Sequence, residues 1–166
     1  MTEIAGVPQD SDVSARIANS IGPAFDGFAP VAGTLPFDLE PAKTIVTSRM
    51  RIERNPDVPA APLVLDGESI TVLRVMADGQ SVSFRHGEGG ELIIDNPPES
   101  DTFTLELRNT CVPDKNTQLS GLYTSGSGLF TQCEAEGFRR ITYFLDRPDV
   151  MAQFSVTLRA DKTKYP

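Results

Sequence analysis

The sequence holds a single histidine, His86, and that scarcity excludes more chemistry than any residue present suggests. A catalytic zinc takes three protein ligands, drawn from His, Asp, Glu and Cys. The helical motif H-E-x-x-H, which supplies two ligands and a general base, is absent. Any Ser–His or Cys–His nucleophile would have to use His86, and nothing points there. His86 precedes Gly87 in a turn-like context and reads as a surface loop residue. Basic residues are also few: Lys and Arg total 15 against 23 Asp and Glu, a net charge of −8. That balance argues against nucleic-acid binding, which needs a basic face to displace counterions. It is compatible with a cationic partner such as a peptide amine, although solubility explains most acidic domains.

No apolar run approaches the roughly 18 residues of a membrane span. The opening MTEIAGVPQDSD has an acid at position 3 and no apolar core, unlike a secretory signal. Cys111 and Cys133 are too few for a disulfide framework. They read as reduced thiols of a cytoplasmic protein, with a single bridge between them as the less favoured alternative. Gly87-Glu88-Gly89-Gly90 lacks the spacing and strand-to-helix setting of a phosphate cradle.

What is present is punctuation: 13 Pro and 13 Gly in 166 residues, with almost no helical spacing of apolar residues beyond position 35. That favours short strands and turns. The length suits one domain able to bury roughly 70% of its extended surface. Residues 1–34 read as an N-terminal arm, with a helical turn at 14–20 capped by Ser11 or Asp12 and an irregular extended stretch through Gly22-Pro23 and 27–33. The β-domain then occupies 35–166. Val46, Ser48, Met50 and Ile52 alternate with Thr47, Arg49 and Arg51; Phe103, Leu105 and Leu107 alternate with Thr104, Glu106 and Arg108. Both are half-buried strands. Shorter strands are expected at 63–65, 70–76, 81–85 and 91–95, with Asp78-Gly79 as a hairpin turn. A loop-bearing hairpin spans 119–132. An apolar strand buried on both sides is expected at 141–145, and a last strand contains Phe154, Val156 and Leu158. Residues 148–153 could turn helical with Asp146 as cap. About nine short strands at regular spacing predict an all-β fold, an antiparallel sandwich or barrel.

Polar chemistry concentrates in one stretch, from Gly121 to Asp149. Cys133-Glu134-Ala135-Glu136-Gly137 sets two carboxylates beside a thiol. In an extended segment Glu134 and Glu136 share a side and would hold an ammonium group by charge-assisted hydrogen bonds. The alternative is that both acids pair with Arg139, Arg140 or Arg147. From the residues alone that reading is favoured, because structural ion-pair networks are common. Cys133 beside two acids should carry a raised thiol pKa and be a poor nucleophile.

The same stretch carries a resemblance. Gly121-Leu122-Tyr123, the run Thr131-Gln132-Cys133-Glu134-Ala135-Glu136-Gly137-Phe138-Arg139, and the run from Ile141-Thr142-Tyr143-Phe144-Leu145-Asp146 to Arg147-Pro148-Asp149-Val150 resemble the N-terminal domain of bacterial aminopeptidase N. That family comprises zinc-dependent exopeptidases of the gluzincin class. The similarity reaches back to Pro36-Phe37-Asp38-Leu39-Glu40 and forward to Ala160-Asp161-Lys162-Thr163-Lys164-Tyr165-Pro166, covering all but the first thirty or so residues. It implies a saddle-shaped β-sheet assembly. It also implies that Gln132 and Glu134 match a Gln-x-Glu segment at the active-site rim. There Glu134 would accept hydrogen bonds from the substrate's free α-amino group, and Gln132 would line the pocket for the first side chain. Glu136 has no matching role and stays an ion-pair candidate. Tyr123, Arg139, Tyr143 and Asp146 read as structural.

The chain ends at Tyr165-Pro166, ahead of the thermolysin-like domain from which the family draws its zinc ligands, general base, second amine-binding glutamate and transition-state tyrosine. The expectation is therefore an excised or truncated piece of a zinc aminopeptidase, catalytically silent alone, with no metal of its own. Its partners would be a peptide with a free N-terminus and the missing catalytic domain, and an apolar patch should mark where that domain docks. The competing expectation is a free-standing β-sandwich used for binding or assembly, with a polar, patch-free surface.

Overall fold

The computed structural model describes residues 27–165, in which eleven strands are found. The helical turn expected at 14–20 lies outside the described residues. Six strands form the main sheet: β1 (Phe28–Asp38), β2 (Thr44–Arg54), β4 (Thr71–Ala77), β5 (Gln80–Ser81), β8 (Thr102–Cys111) and β11 (Gln153–Arg159), in the order β11-β1-β2-β8-β4-β5. A second sheet orders β3 (Leu63–Leu65), β7 (Leu92–Ile94) and β6 (Arg85–His86). A third is the hairpin of β9 (Gly121–Ser125) and β10 (Gly128–Gln132).

The spine is the pair of alternating strands. β2 and β8 run antiparallel, with Met50 opposite Leu105, Ile52 opposite Phe103 and Ser48 opposite Leu107, so their apolar positions fall on one face. That face must be covered, and two bodies cover it. The small sheet lays Leu63, Leu65, Leu92 and Ile94 over Met50, Ile52, Leu105 and Leu107, together with Tyr143 and Phe144. The hairpin lays Leu122 over Leu35, Phe37, Val46 and Cys111, joined by Ile141. The result is an all-β sandwich whose cover is split in two. Asp78 and Gly79, at φ 47° and 78°, make the expected tight turn between β4 and β5, a turn that needs positive φ at both central residues.

Several expectations are corrected. Residues 28–34 are not the end of an irregular arm; they begin β1, which lies between β11 and β2. Pro30 and Gly33 lie inside the strand, and each suits its place there. Pro30 sits at the register shift between Pro30 and Ala32, the kind of bulge that tolerates a missing donor. Gly33 lies where a Cβ would come within 2.7 Å of the Arg49 carbonyl and 3.0 Å of the Phe154 ring. The sheet is not wholly antiparallel: β1 and β11 run parallel, Leu35 opposite Val156 and Phe37 opposite Leu158. The expected strand at 81–85 is divided between β5 and β6, which belong to different sheets.

Residues 141–145 do not form a strand. Their burial is as expected, but only Phe144 makes a bridge, exchanging both backbone hydrogen bonds with Asp66 at 2.7 and 3.1 Å. A side chain replaces the ladder. The Asn109 amide donates to the Ile141 carbonyl at 2.8 Å, and the Thr142 hydroxyl donates to Asn109 Oδ1 at 2.9 Å, with both side chains fully buried. Nor is 148–153 helical, because the carboxylate read as its cap is occupied by Arg139.

Cys111 and Cys133 are free thiols. Burial pushes the Cys111 thiol up from 9.0 to about 11. The unfolded chain therefore ionises this group first, and the native state binds the extra proton between those values. Its contribution to stability is complete below the unfolded value and is lost as pH rises through the folded one. Urea unfolding should show about 2–3 kcal/mol lost to this group between pH 9 and 11. The Cys111→Ala protein, compared over the same range, should show a correspondingly flatter profile.

Candidate site on the turn after the hairpin

Strand β9 begins where Asn116 fixes it: its side-chain amide donates to the Ser120 and Leu122 carbonyls at 2.7 and 2.9 Å. Leu122 is buried, and Tyr123 stacks on Phe130 of β10 with ring centroids 6.0 Å apart. The hairpin register runs to its last pair, Gln132 opposite Gly121. There the chain turns. The Gly137 amide donates to the Cys133 carbonyl at 2.8 Å, closing a loop over 133–137. A 3₁₀ turn, Phe138–Arg140, follows directly.

Two glycines permit this close approach. A Cβ on Gly137 would lie 2.6 Å from the Gln132 carbonyl and 2.9 Å from both Cys133 Cα and Ser120 Oγ. Gly121, at φ +76°, would put its Cβ 2.5 Å from that of Arg140. Beyond the turn, Phe138 packs edge-on against Phe144 at 5.1 Å and against Phe154 at 5.8 Å, fixing the base of the loop.

The two glutamates are separated by this geometry. Residues 134–137 form a turn and not an extended segment, so the expected shared side does not arise. Glu136 has positive φ (61°), and its carboxylate lies 3.4 Å from Arg139. The ion-pair reading therefore holds for Glu136. Arg139 also binds Asp146, which accepts from its backbone N–H and from Nε, each at 3.0 Å. Arg140 pairs instead with Glu68 and with Gln118. Glu134 is exposed, and its carboxylate has no partner among the described residues. The peptide after it, Glu134–Ala135, is cis.

Gln132 and Glu134 are brought together. The Gln132 side-chain amide donates to the Glu134 main-chain carbonyl at 3.0 Å. Both side chains are exposed, and neither lines either of two surface clefts. The first, of about 300 Å³, runs between Ser69, Cys111, Lys115, Gln118 and Arg140. Cys133 is half-buried, and its thiol pKa is raised as expected, but by burial first and then by Asp146, not by Glu134 or Glu136. His86 is exposed on β6 and packs its ring near Phe84 and Tyr143. Among the described residues no three His, Cys, Asp or Glu side chains converge as a metal ligand set.

Sequence reasoning missed two acids that hold the site from below. Asp66 bridges Phe144 and accepts from the Asp146 amide at 3.0 Å. Glu68 pairs with Arg140, and its own amide donates to the Arg139 carbonyl at 3.0 Å. Both lie about 70 to 80 residues from their partners in sequence, so no local pattern marks them. Gly137→Ala should therefore displace the loop from Gln132 and Ser120. Its expected cost in urea unfolding is about 1–3 kcal/mol, the range for overpacking a tight contact; a change below about 0.5 kcal/mol, the range for ordinary surface substitutions, would show that the loop is not so constrained.

Comparison with known proteins gives a consistent result. Residues 30–165 match the family model described as the Peptidase M1 N-terminal domain. The chain is 48% identical over 132 residues to Aminopeptidase N of Escherichia coli (strain K12), covering 80% of this chain and 15% of that protein. It is 45% identical over 133 residues to Aminopeptidase N of Haemophilus influenzae, with the same coverage. Among solved structures, aminopeptidase A of Legionella pneumophila in complex with aspartic acid superposes with a TM-score of 0.75 at 27% identity, covering 86% of this chain and 17% of that one. Native yeast LTA4 hydrolase shares the fold, with a TM-score of 0.67 at 21% identity over 82% of this chain and 25% of that one. The chain spans only about 15% of the length of the curated relatives it matches.

Proposed function

The chain belongs to the peptidase M1 N-terminal domain family, and from that premise we propose that it is the N-terminal β-domain of a zinc-dependent aminopeptidase acting in the cytoplasm on peptides with a free N-terminus. Its part is recognition. Glu134 anchors the substrate's α-ammonium group, with Gln132 beside it. Among the described residues no side-chain set forms that would hold the zinc M1 peptidases use. Metal and general base would be supplied from a catalytic domain outside residues 1–166, docked against this one.

One observation carries the reading: of the two neighbouring glutamates, Glu136 is committed to Arg139, while Glu134 is left with an exposed, unpartnered carboxylate on a turn fixed at both ends. Such a group is free to accept hydrogen bonds from an incoming ammonium, and charge-assisted bonds of that kind are roughly twice as strong as neutral ones. An amine anchor also explains selectivity for chain ends, because an internal peptide bond offers no ammonium. Docking is supported by the edge strand β11, where Val156 and Leu158 are 57% and 65% exposed. Their register continues the buried stripe of Leu35 and Phe37 beyond its cover. An exposed apolar strip of this kind favours a domain that packs against another over a patch-free, free-standing module.

The test uses an enzyme in which residues 30–165 replace the matching segment of the Escherichia coli relative. Glu134→Ala should raise KM for an aminoacyl p-nitroanilide about 10- to 100-fold, the loss of one charged hydrogen bond, with little change in melting temperature. An unchanged KM would remove the anchor role.

A further inference from the structure

We propose that Gln132 is a positioning residue that orients Glu134, and not primarily a wall of the side-chain pocket; this rests on the reading of Glu134 as the amine anchor. The Gln132 side chain is already engaged. Its Nε2–H donates to the Glu134 carbonyl at 3.0 Å, which fixes the peptide plane leaving Glu134. On the other side, the Gln132 backbone is held by its pairing with Gly121 at the end of the hairpin. Glu134 is thus bracketed: a strand ladder sets where the chain enters, and an amide two residues back sets where it leaves. The Gly137–Cys133 hydrogen bond then closes the loop, and the Glu136–Arg139 pair draws the second carboxylate away.

An amide suits this task because it carries donor and acceptor on one short, neutral fork. The donor closes on the carbonyl, while Oε1 remains as an acceptor on the same exposed rim. Methionine has similar length and no donor, so Gln132→Met removes the clasp while preserving bulk. The bond is solvent-exposed, and the net worth of such a bond corresponds to a factor of about three to ten.

Two measurements test the role. In the 166-residue chain, Gln132→Met should accelerate hydrogen exchange at the Gly137 amide several-fold while the melting temperature stays within about 2 °C. Unchanged exchange at Gly137 would overturn the clasp. In the enzyme carrying residues 30–165, Gln132→Met should raise KM about three- to tenfold with kcat unchanged, by the same factor for Ala, Leu and Arg substrates. In the Glu134→Ala background it should have no further effect, since it acts through Glu134. Additive effects, or a KM change that depends on the first side chain, would overturn positioning in favour of a pocket-lining role. Should Glu134→Ala leave KM unaltered, the anchor reading fails and the positioning role with it, even where the exchange result stands.

Discussion

Asp146 receives both the backbone N–H and the Nε of Arg139, and the candidate site depends on that pairing. The main sheet offers one apolar face, and two separate bodies cover it: the small sheet and the hairpin. Residues 138–146 form the seam between them. Their aromatic side chains serve both clusters, with Phe138 packed against each. Their backbone is secured by side chains instead of a ladder, through Asn109 on one side and Asp66 on the other. Arg139 is 22% exposed and Asp146 13%, so the pair sits mostly out of water, where charge-assisted bonds retain more of their strength than on an open surface. The loop bearing Glu134 ends at Gly137, one residue before Phe138, so its far end lies where this seam holds it.

Legibility in the sequence followed the range of the forces involved. β2 and β8 were plain because alternation is a local pattern, and both bury every second residue as their sequences indicate. The Asp78-Gly79 turn was equally local. Residues 28–34 misled because Pro30 and Gly33 signal a break only in isolation; a bulge and a crossing Phe154 ring make them fitting. The seam misled in the opposite direction. Residues 141–145 are apolar enough for a buried strand, yet Asn109 takes the hydrogen bonds that a neighbouring strand would have taken. A substitution of that kind leaves no periodic trace.

The same distinction applies within the site. The identities of the polar residues were legible, and the resemblance singled out Gln132 and Glu134. Their arrangement was not. Treating Cys133–Gly137 as extended puts both glutamates on one side, whereas Gly137 allows a turn so tight that a Cβ would strike the Gln132 carbonyl. The turn divides the acids: Glu136 pairs with Arg139, and Glu134 is left as the one acid the proposed amine-anchor role can use. Cys133 shows the matching lesson in electrostatics. Its raised thiol was foreseen from two adjacent acids, but adjacency in sequence is not proximity of charge, and the acid that acts on it is Asp146 across the loop.

Glu134 is poorly placed to bind anything by itself, and that follows from physics, not from a defect in the site. On an exposed turn a carboxylate is fully hydrated, and an ion pair formed there gains about 0–1 kcal/mol. The same carboxylate, covered by a second surface that excludes water, would interact with an ammonium at a lower effective dielectric and several times more strongly. This domain supplies a carbonyl–amide clasp and an unpartnered acid, and both are exposed among the described residues. The exposed stripe of Val156 and Leu158 on β11 offers the complementary half, an apolar face that gains from being covered. On the proposed reading, a catalytic domain that covered both would couple the two, and strong ammonium recognition would arise only in the assembled enzyme. Under the proposed function, such an arrangement would keep a strong ammonium site from forming on the domain before a catalytic partner is in place.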